Sequence, residues 1–168
     1  MYTFRNNILE VLSLFRNDYK KRMYLREISY TSKIPLKTCQ NTLAKLENQK
    51  ILKSKIEGKN KYFSLNIDNI KTKLLLLQTE IYMTDLFIEK YPQINMFMKE
   101  LKTNNPVIVF GSFAKFKAET NSDIDLLIIT EKEETLPFHL LSIKTHKTIM
   151  KEKTFLKALK EQENLVKE

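Results

Sequence analysis

The residues best placed to do chemistry are two acids and a Gly-Ser pair. Asp123 and Asp125 flank Ile124 at the head of the apolar run Leu126–Ile129. In a strand, period-two geometry projects both carboxylates from one face and sends Ile124 into the core. Two like charges held that close repel unless a cation lies between them, and oxygen-only ligands suit Mg²⁺ carrying substrate phosphates. Upstream, Val107–Phe110 is apolar and rich in β-branched residues, and it stops at Gly111, one of two glycines in the chain. It reads as a buried strand ending in a turn. Gly111 lets backbone approach a ligand, and Ser112 opens a short helical segment whose hydroxyl and unpaired N–H groups suit an anion such as a triphosphate. An Asx-type turn at Asn121 to Asp123 would account for the acids through local hydrogen bonds, but for neither the Gly-Ser pair nor the two flanking strands.

Gly111-Ser112, ten residues, then Asp123-x-Asp125 resembles the nucleotidyltransferase superfamily that includes DNA polymerase β, and in particular its minimal prokaryotic members. The resemblance implies that Asp123 and Asp125 are catalytic and hold Mg²⁺. They would align an acceptor hydroxyl for attack on the α-phosphorus of a nucleoside triphosphate while Gly111 and Ser112 hold the β and γ phosphates. The implied reaction is transfer of AMP from ATP to a protein, an RNA end or a small molecule; in members that work as antitoxins the acceptor is a partner toxin. Two departures stand out. Phe116 occupies the place of a second family glycine, so a positive φ there would strain it. The third metal-binding carboxylate belongs on a later strand, expected here at Phe138–Ile143, and that segment has no acid. His139 or Ser142 would face the site instead, and neither replaces a bridging carboxylate for Mg²⁺. Glu131, Glu133 and Glu134 read as a solvated edge. His139 and His146 lack a second His or Cys at ligand spacing and read as structural or surface residues.

Charge divides the chain. Residues 1–70 hold 14 Lys plus Arg against 6 Asp plus Glu, whereas residues 71–168 hold 15 against 14, so nearly all of the +9 lies in the first part. That asymmetry fits one module meeting a polyanion and another of ordinary charge. Phe4, Ile8, Val11, Leu12 and Phe15 recur at helical spacing, giving a helix that ends near Asn17. Met23–Leu25 makes a short strand and Arg26–Thr31 a brief helix; Pro35 then starts Leu36–Gln49, with Cys39, Leu43 and Leu46 inward. Strands Ile51–Ile56 and Lys61–Leu65 close through Gly58 as a hairpin. Helix, turn, helix and hairpin resemble the winged-helix DNA-binding domains of prokaryotic regulators. Lys37, Thr38, Gln40, Asn41 and Lys45 face outward for phosphates and base edges of duplex DNA, and the wing adds Lys53, Lys55, Lys59 and Lys61. Lysines at alternate strand positions also keep an exposed hairpin soluble.

Ile67–Lys90 reads as one long helix, apolar on more than one side, which packs at a domain junction or in a homodimer contact; burial within the monomer accounts for it equally well. Pro92 breaks it, Gln93–Leu101 forms the next helix, and Thr154–Lys167 the last. The fold class is therefore α+β: a winged helix at 1–66, a linking helix at 67–90, and a nucleotidyltransferase-like domain at 91–168 with a small mixed β-sheet and flanking helices. One cysteine excludes a disulfide framework, and no apolar run reaches membrane-spanning length, so a cytoplasmic protein with no membrane partner is expected. Two functions follow: a DNA-binding nucleotidyltransferase using Mg²⁺, or a transcription regulator whose transferase domain is catalytically degenerate and binds nucleotide or mediates assembly.

Overall fold

The structure, a computed structural model, describes residues 6–132 and 135–161. The chain divides into two compact units, Met1–Leu86 and Phe87–Glu168.

In the first unit, α1 (Asn7–Ser13) begins at Asn6, whose side chain accepts the N–H groups of Ile8 and Leu9 at 3.1 and 3.3 Å. This satisfies two of the donors that every helix N-terminus leaves open. β1 (Met23–Tyr24) leads straight into α2 (Leu25–Ser32), which stops where Lys33 turns left-handed at φ 55°. Pro35 then caps α3 (Leu36–Asn48), where its missing N–H costs nothing. β2 (Leu52–Glu57) and β3 (Asn60–Leu65) form an antiparallel hairpin, and β1 pairs with the other side of β3. Three helices and this wing enclose a core of Val11, Leu12, Phe15, Ile28, Cys39, Leu43, Leu46 and Phe63. This is a winged helix in its element order. The long helix α4 (Ile70–Lys90) closes the core with Thr72 and Leu76, and Thr72 Oγ1 donates to the Ile51 carbonyl at 3.3 Å. Tyr82 Oη also reaches Glu10 Oε1 at 3.0 Å, tying α4 to α1.

The second unit is a mixed sheet under helices. α5 (Pro92–Glu100) is followed by β4 (Val107–Phe110), the one-turn α6 (Gly111–Ala114), β5 (Ile124–Ile129), β6 (Thr145–Met150) and α7 (Glu152–Glu161). β5 is central, antiparallel to β4 and parallel to β6. Ile124 and Leu126 point from β5 into a cluster with Phe87, Tyr91, Ile94, Phe97 and Phe113. The α+β class and small mixed sheet agree with the sequence reading. The third strand does not: Phe138–Leu140 is a single 3₁₀ turn, and the strand beside β5 starts at Thr145. Pro137 and the short apolar run after it resemble a buried strand in composition, but the chain needs those residues to cap the cluster through Phe138 and Leu141. Phe4, Glu133, Glu134 and the end of the expected last helix, residues 162–167, lie outside the described residues.

Candidate functional site

At the N-terminal end of β5, Phe110 pairs with Asp125 across β4, and Asp125 pairs with His146 across β6. This register brings together three segments far apart in sequence. Asp125 is within β5 and Asp123 one residue ahead of it; their side chains are about a quarter exposed, while Ile124 between them is buried. Gly111 sits against this pair. Its φ is +72°, and a Cβ built there would overlap Asp125 Oδ2. Glycine is thus required twice, by backbone conformation and by contact. Ser112 follows on the same turn, its carbonyl accepting the Lys117 N–H at 2.9 Å. Because α6 has only one turn, its macrodipole is small, and the turn's own backbone and hydroxyl are what it offers.

Phe116 takes the left-handed conformation at φ 57° that a glycine would adopt without strain. Packing holds it there. Its ring meets Phe87 edge-on with centroids 6.0 Å apart, and its carbonyl accepts from Lys90 Nζ at 3.0 Å.

The place expected for a third acid holds two bases. Lys144 Nζ donates to Asp123 Oδ2 at 3.0 Å, and the Lys144 carbonyl accepts the Ile124 N–H at 2.9 Å, which anchors its backbone beside the strand. The His146 imidazole spans the pair, with Nε2 3.3 Å from Asp123 Oδ2 and Nδ1 3.5 Å from Asp125 Oδ1. His146, which the sequence reading treated as a structural or surface residue, therefore lies at the carboxylates, whereas His139 lies in the 3₁₀ turn and Ser142 just after it, both outside the strand. A signal was present: Lys144-Thr-His146 repeats the i, i+2 spacing of Asp123-Ile-Asp125. In a parallel register these two pairs fall side by side on one face.

Mg²⁺ demands near-octahedral oxygen ligands, and a two-metal site needs a carboxylate to bridge. An imidazole and an ammonium on Asp123 and Asp125 do not supply one. Among the described residues, those gathered at this site do not fit the two-metal arrangement.

In the first unit, Lys37, Gln40, Asn41 and Lys45 are exposed on α3 and Thr38 is half-buried. Thr38, Asn41 and Lys45 line an open depression shared with Asn6, Asn7 and Ile8 at the start of α1. The wing lysines differ from one another. Lys53 pairs with Asp68 at 2.8 Å, Lys55 with Glu57 at 3.3 Å and Lys61 with Glu47 at 2.7 Å, while Lys59 beside Gly58 makes no ion pair among the described residues. Lys61, and after it the Ser54 hydroxyl, hydrogen-bond to Glu47 and hold its carboxyl below the usual glutamate range. Such pairs lower the net charge a wing presents to a polyanion.

The second unit is thus a small mixed sheet with a Gly-Ser turn beside an Asp-x-Asp strand, and the first has the element order of a winged helix. Residues 92–168, a little under half of the chain, match the family described as "Polymerase beta, Nucleotidyltransferase". No curated protein matches the chain. Among solved structures, the chain is similar to MepR, a transcription regulator of the Staphylococcus aureus multidrug efflux pump MepA, at 18% identity over 56% of this chain and 71% of that one, with a TM-score of 0.40. It is similar to Sso10a-2, a DNA-binding protein from Sulfolobus solfataricus, at 20% identity over 60% of this chain and 100% of that one, with a TM-score of 0.40. The transcriptional regulator PA4135 gives 18% identity over 61% and 80%, again at 0.40. No helix among the described residues is long and apolar enough to cross a membrane.

Proposed function

We propose that this chain is a cytoplasmic, DNA-binding transcription regulator whose nucleotidyltransferase domain is catalytically degenerate and keeps a site for nucleotide or assembly. The observation that carries the reading is the pairing of Asp123 and Asp125 with Lys144 and His146. In a transferring site, two carboxylates stay ionised side by side because metal ions neutralise them and bring the triphosphate. Here side chains of the same sheet supply the cation, so the carboxylates have less to gain from a metal. Gly111 and Ser112 retain the turn that would meet phosphates. Residues 1–66 form the proposed duplex-binding module, with Lys37, Thr38, Gln40, Asn41 and Lys45 on the helix and Lys59 as the wing residue best placed to meet phosphate. The linking helix follows at 67–90 and the transferase-like domain at 91–168.

The transfer reading keeps support from the family match and from Gly111, Ser112, Asp123 and Asp125 meeting at one sheet end. Under it, AMP from ATP with Mg²⁺ would pass to a protein such as a partner toxin, an RNA end or a small molecule. Labelled ATP, Mg²⁺ and purified protein separate the two. The regulator reading expects no label on protein, RNA or small acceptors; robust transfer abolished by Asp123→Ala would overturn it.

A further inference from the structure

Helix α4 is apolar on two sides, and the fold of its own unit covers one. Thr72, Leu76, Thr79 and Tyr82 are buried. On the other side Ile70, Leu74, Leu77 and Ile81 remain 65, 56, 61 and 64% exposed. Scattered apolar residues at a surface need no explanation, but four in a continuous stripe do. Their spacing is 4, 3, 4 residues, the alternation of the d and a positions of a heptad. The stripe runs for about 17 Å along the helix at 1.5 Å per residue. A seam of this period is complementary to another helix carrying the same period, because each knob enters a hole between four residues of the facing helix.

The flanking charges select the partner and its direction. Lys73 and Glu80 occupy the g positions beside the seam, and Lys71, Gln78 and Asp85 the e positions. Two copies aligned in parallel would bring g against e of the next heptad, setting Glu80 opposite Asp85 in the other copy, a like-charge contact. Two antiparallel copies bring g against g. With Leu74 opposite Leu77 and Ile70 opposite Ile81, Lys73 of each copy lies next to Glu80 of the other, and the two-fold axis makes that attraction twice. Glu80 is half exposed and lies 3.6 Å from Arg16 of its own chain, so it keeps room for a second cation.

We infer that this face of α4 is a self-association seam, and that a second copy of the chain packs on it antiparallel through Ile70, Leu74, Leu77 and Ile81. The inference rests on the first unit alone and is independent of what the Asp123 site does. A two-fold dimer of winged helices would present two recognition helices to a palindromic duplex.

Sedimentation or light scattering on the full chain tests it. At about 100 µM the protein is expected at twice its 20.0 kDa chain mass, and Leu77→Lys at the chain mass with unchanged circular dichroism, since Leu77 makes little of the monomer core. Lys73→Glu and Glu80→Lys singly should each weaken the dimer about tenfold, and the double reversal should restore it. For orientation, Leu74→Cys and Leu77→Cys proteins mixed and oxidised should cross-link to each other far more than either does alone; Cys39 is buried and does not compete. A monomeric wild type, a Leu77→Lys dimer as tight as wild type, or efficient self-cross-linking of each single cysteine protein would overturn the inference.

Discussion

Replacing Gly111 with alanine probes the contact on which the candidate site is built. Two costs follow from the structure. At φ +72° an alanine is in the left-handed region, which costs about 1–2 kcal/mol for a residue with a Cβ. The added methyl also overlaps Asp125 Oδ2, the free end of a side chain, so the overlap is relieved by swinging the carboxylate away from His146 rather than by moving backbone. An off-rotamer side chain costs about 1 kcal/mol. The sum, about 2–3 kcal/mol, should lower the midpoint of the second unit by roughly 10–20 °C, given about 4–8 °C per kcal/mol for a domain of this size. Differential scanning calorimetry on the full chain reads that transition. A double-mutant cycle with Asp125→Ala then separates the two costs. Without the carboxylate only the backbone strain remains, so the coupling between the sites should be about 1 kcal/mol. If Gly111→Ala costs the same with and without Asp125, the carboxylate does not lie where the register puts it, and the reasoning fails.

Other expectations concern the first unit. For DNA, each lysine that touches a phosphate contributes about −0.9 to the slope of log affinity against log salt, so Lys37→Ala/Lys45→Ala should flatten the slope by up to about 2. Lys53→Ala or Lys61→Ala should change it by much less, because those ammoniums are already paired; an equal effect from the wing pairs would refute their assignment. For pH, the depressed carboxyl of Glu47 contributes stability that is present at neutral pH and lost as pH falls from the ordinary glutamate range through the folded value. Urea unfolding at pH 7 and near pH 4 should show that loss, at most about 1 kcal/mol for a part-exposed pair, and Glu47→Gln should reduce it. An unchanged pH dependence in that variant would remove Glu47 from the account. Burial raises the Cys39 thiol above its usual value, so a thiol reagent should label native protein only as fast as it unfolds; immediate stoichiometric labelling would contradict the packing.

Legibility in the sequence followed the range of the interactions. The winged helix was readable because its determinants are local: Pro35 at a helix start, Gly58 in a hairpin, and Cys39, Leu43 and Leu46 at helical spacing. Asp123, Asp125, Gly111 and Ser112 were readable because a short loop fixes their spacing. What escaped depends on pairing across longer distances. The strand beside β5 could not be placed at Thr145–Met150 from pattern alone, since Thr-His-Lys-Thr-Ile-Met is polar and half-exposed, while the more apolar Phe138–Ile143 imitates a strand. Moving that strand by a few residues brings His146 to the carboxylates and leaves His139 in a turn. In the same way, the sequence showed that α4 is apolar on more than one side, but only the fold shows which side the first unit covers.

The exchange of an acid for bases can be run backwards. Two adjacent carboxylates require a cation, and whether that cation is carried by the protein or arrives from solution decides if the site depends on metal. With Lys144 Nζ 3.0 Å from Asp123 and the His146 ring across both acids, the demand is met from within the sheet. In Lys144→Ala/His146→Asp the internal ammonium and imidazole go and a third carboxylate appears on β6, paired in register with Asp125. That variant has three acids at one sheet end, the ligand chemistry of a hard divalent ion. Their mutual repulsion should destabilise it without metal, and Mg²⁺ should restore it. For a dissociation constant of about 1 mM, 10 mM Mg²⁺ stabilises by about 1.4 kcal/mol, a rise of roughly 6–11 °C in the midpoint of the second unit. Wild type should show no such rise, because binding there has to displace the Lys144 ammonium and the His146 ring from the carboxylates. If wild type gains as much from Mg²⁺ as the variant, Lys144 and His146 do not substitute for metal, and the transfer reading recovers its claim on the site.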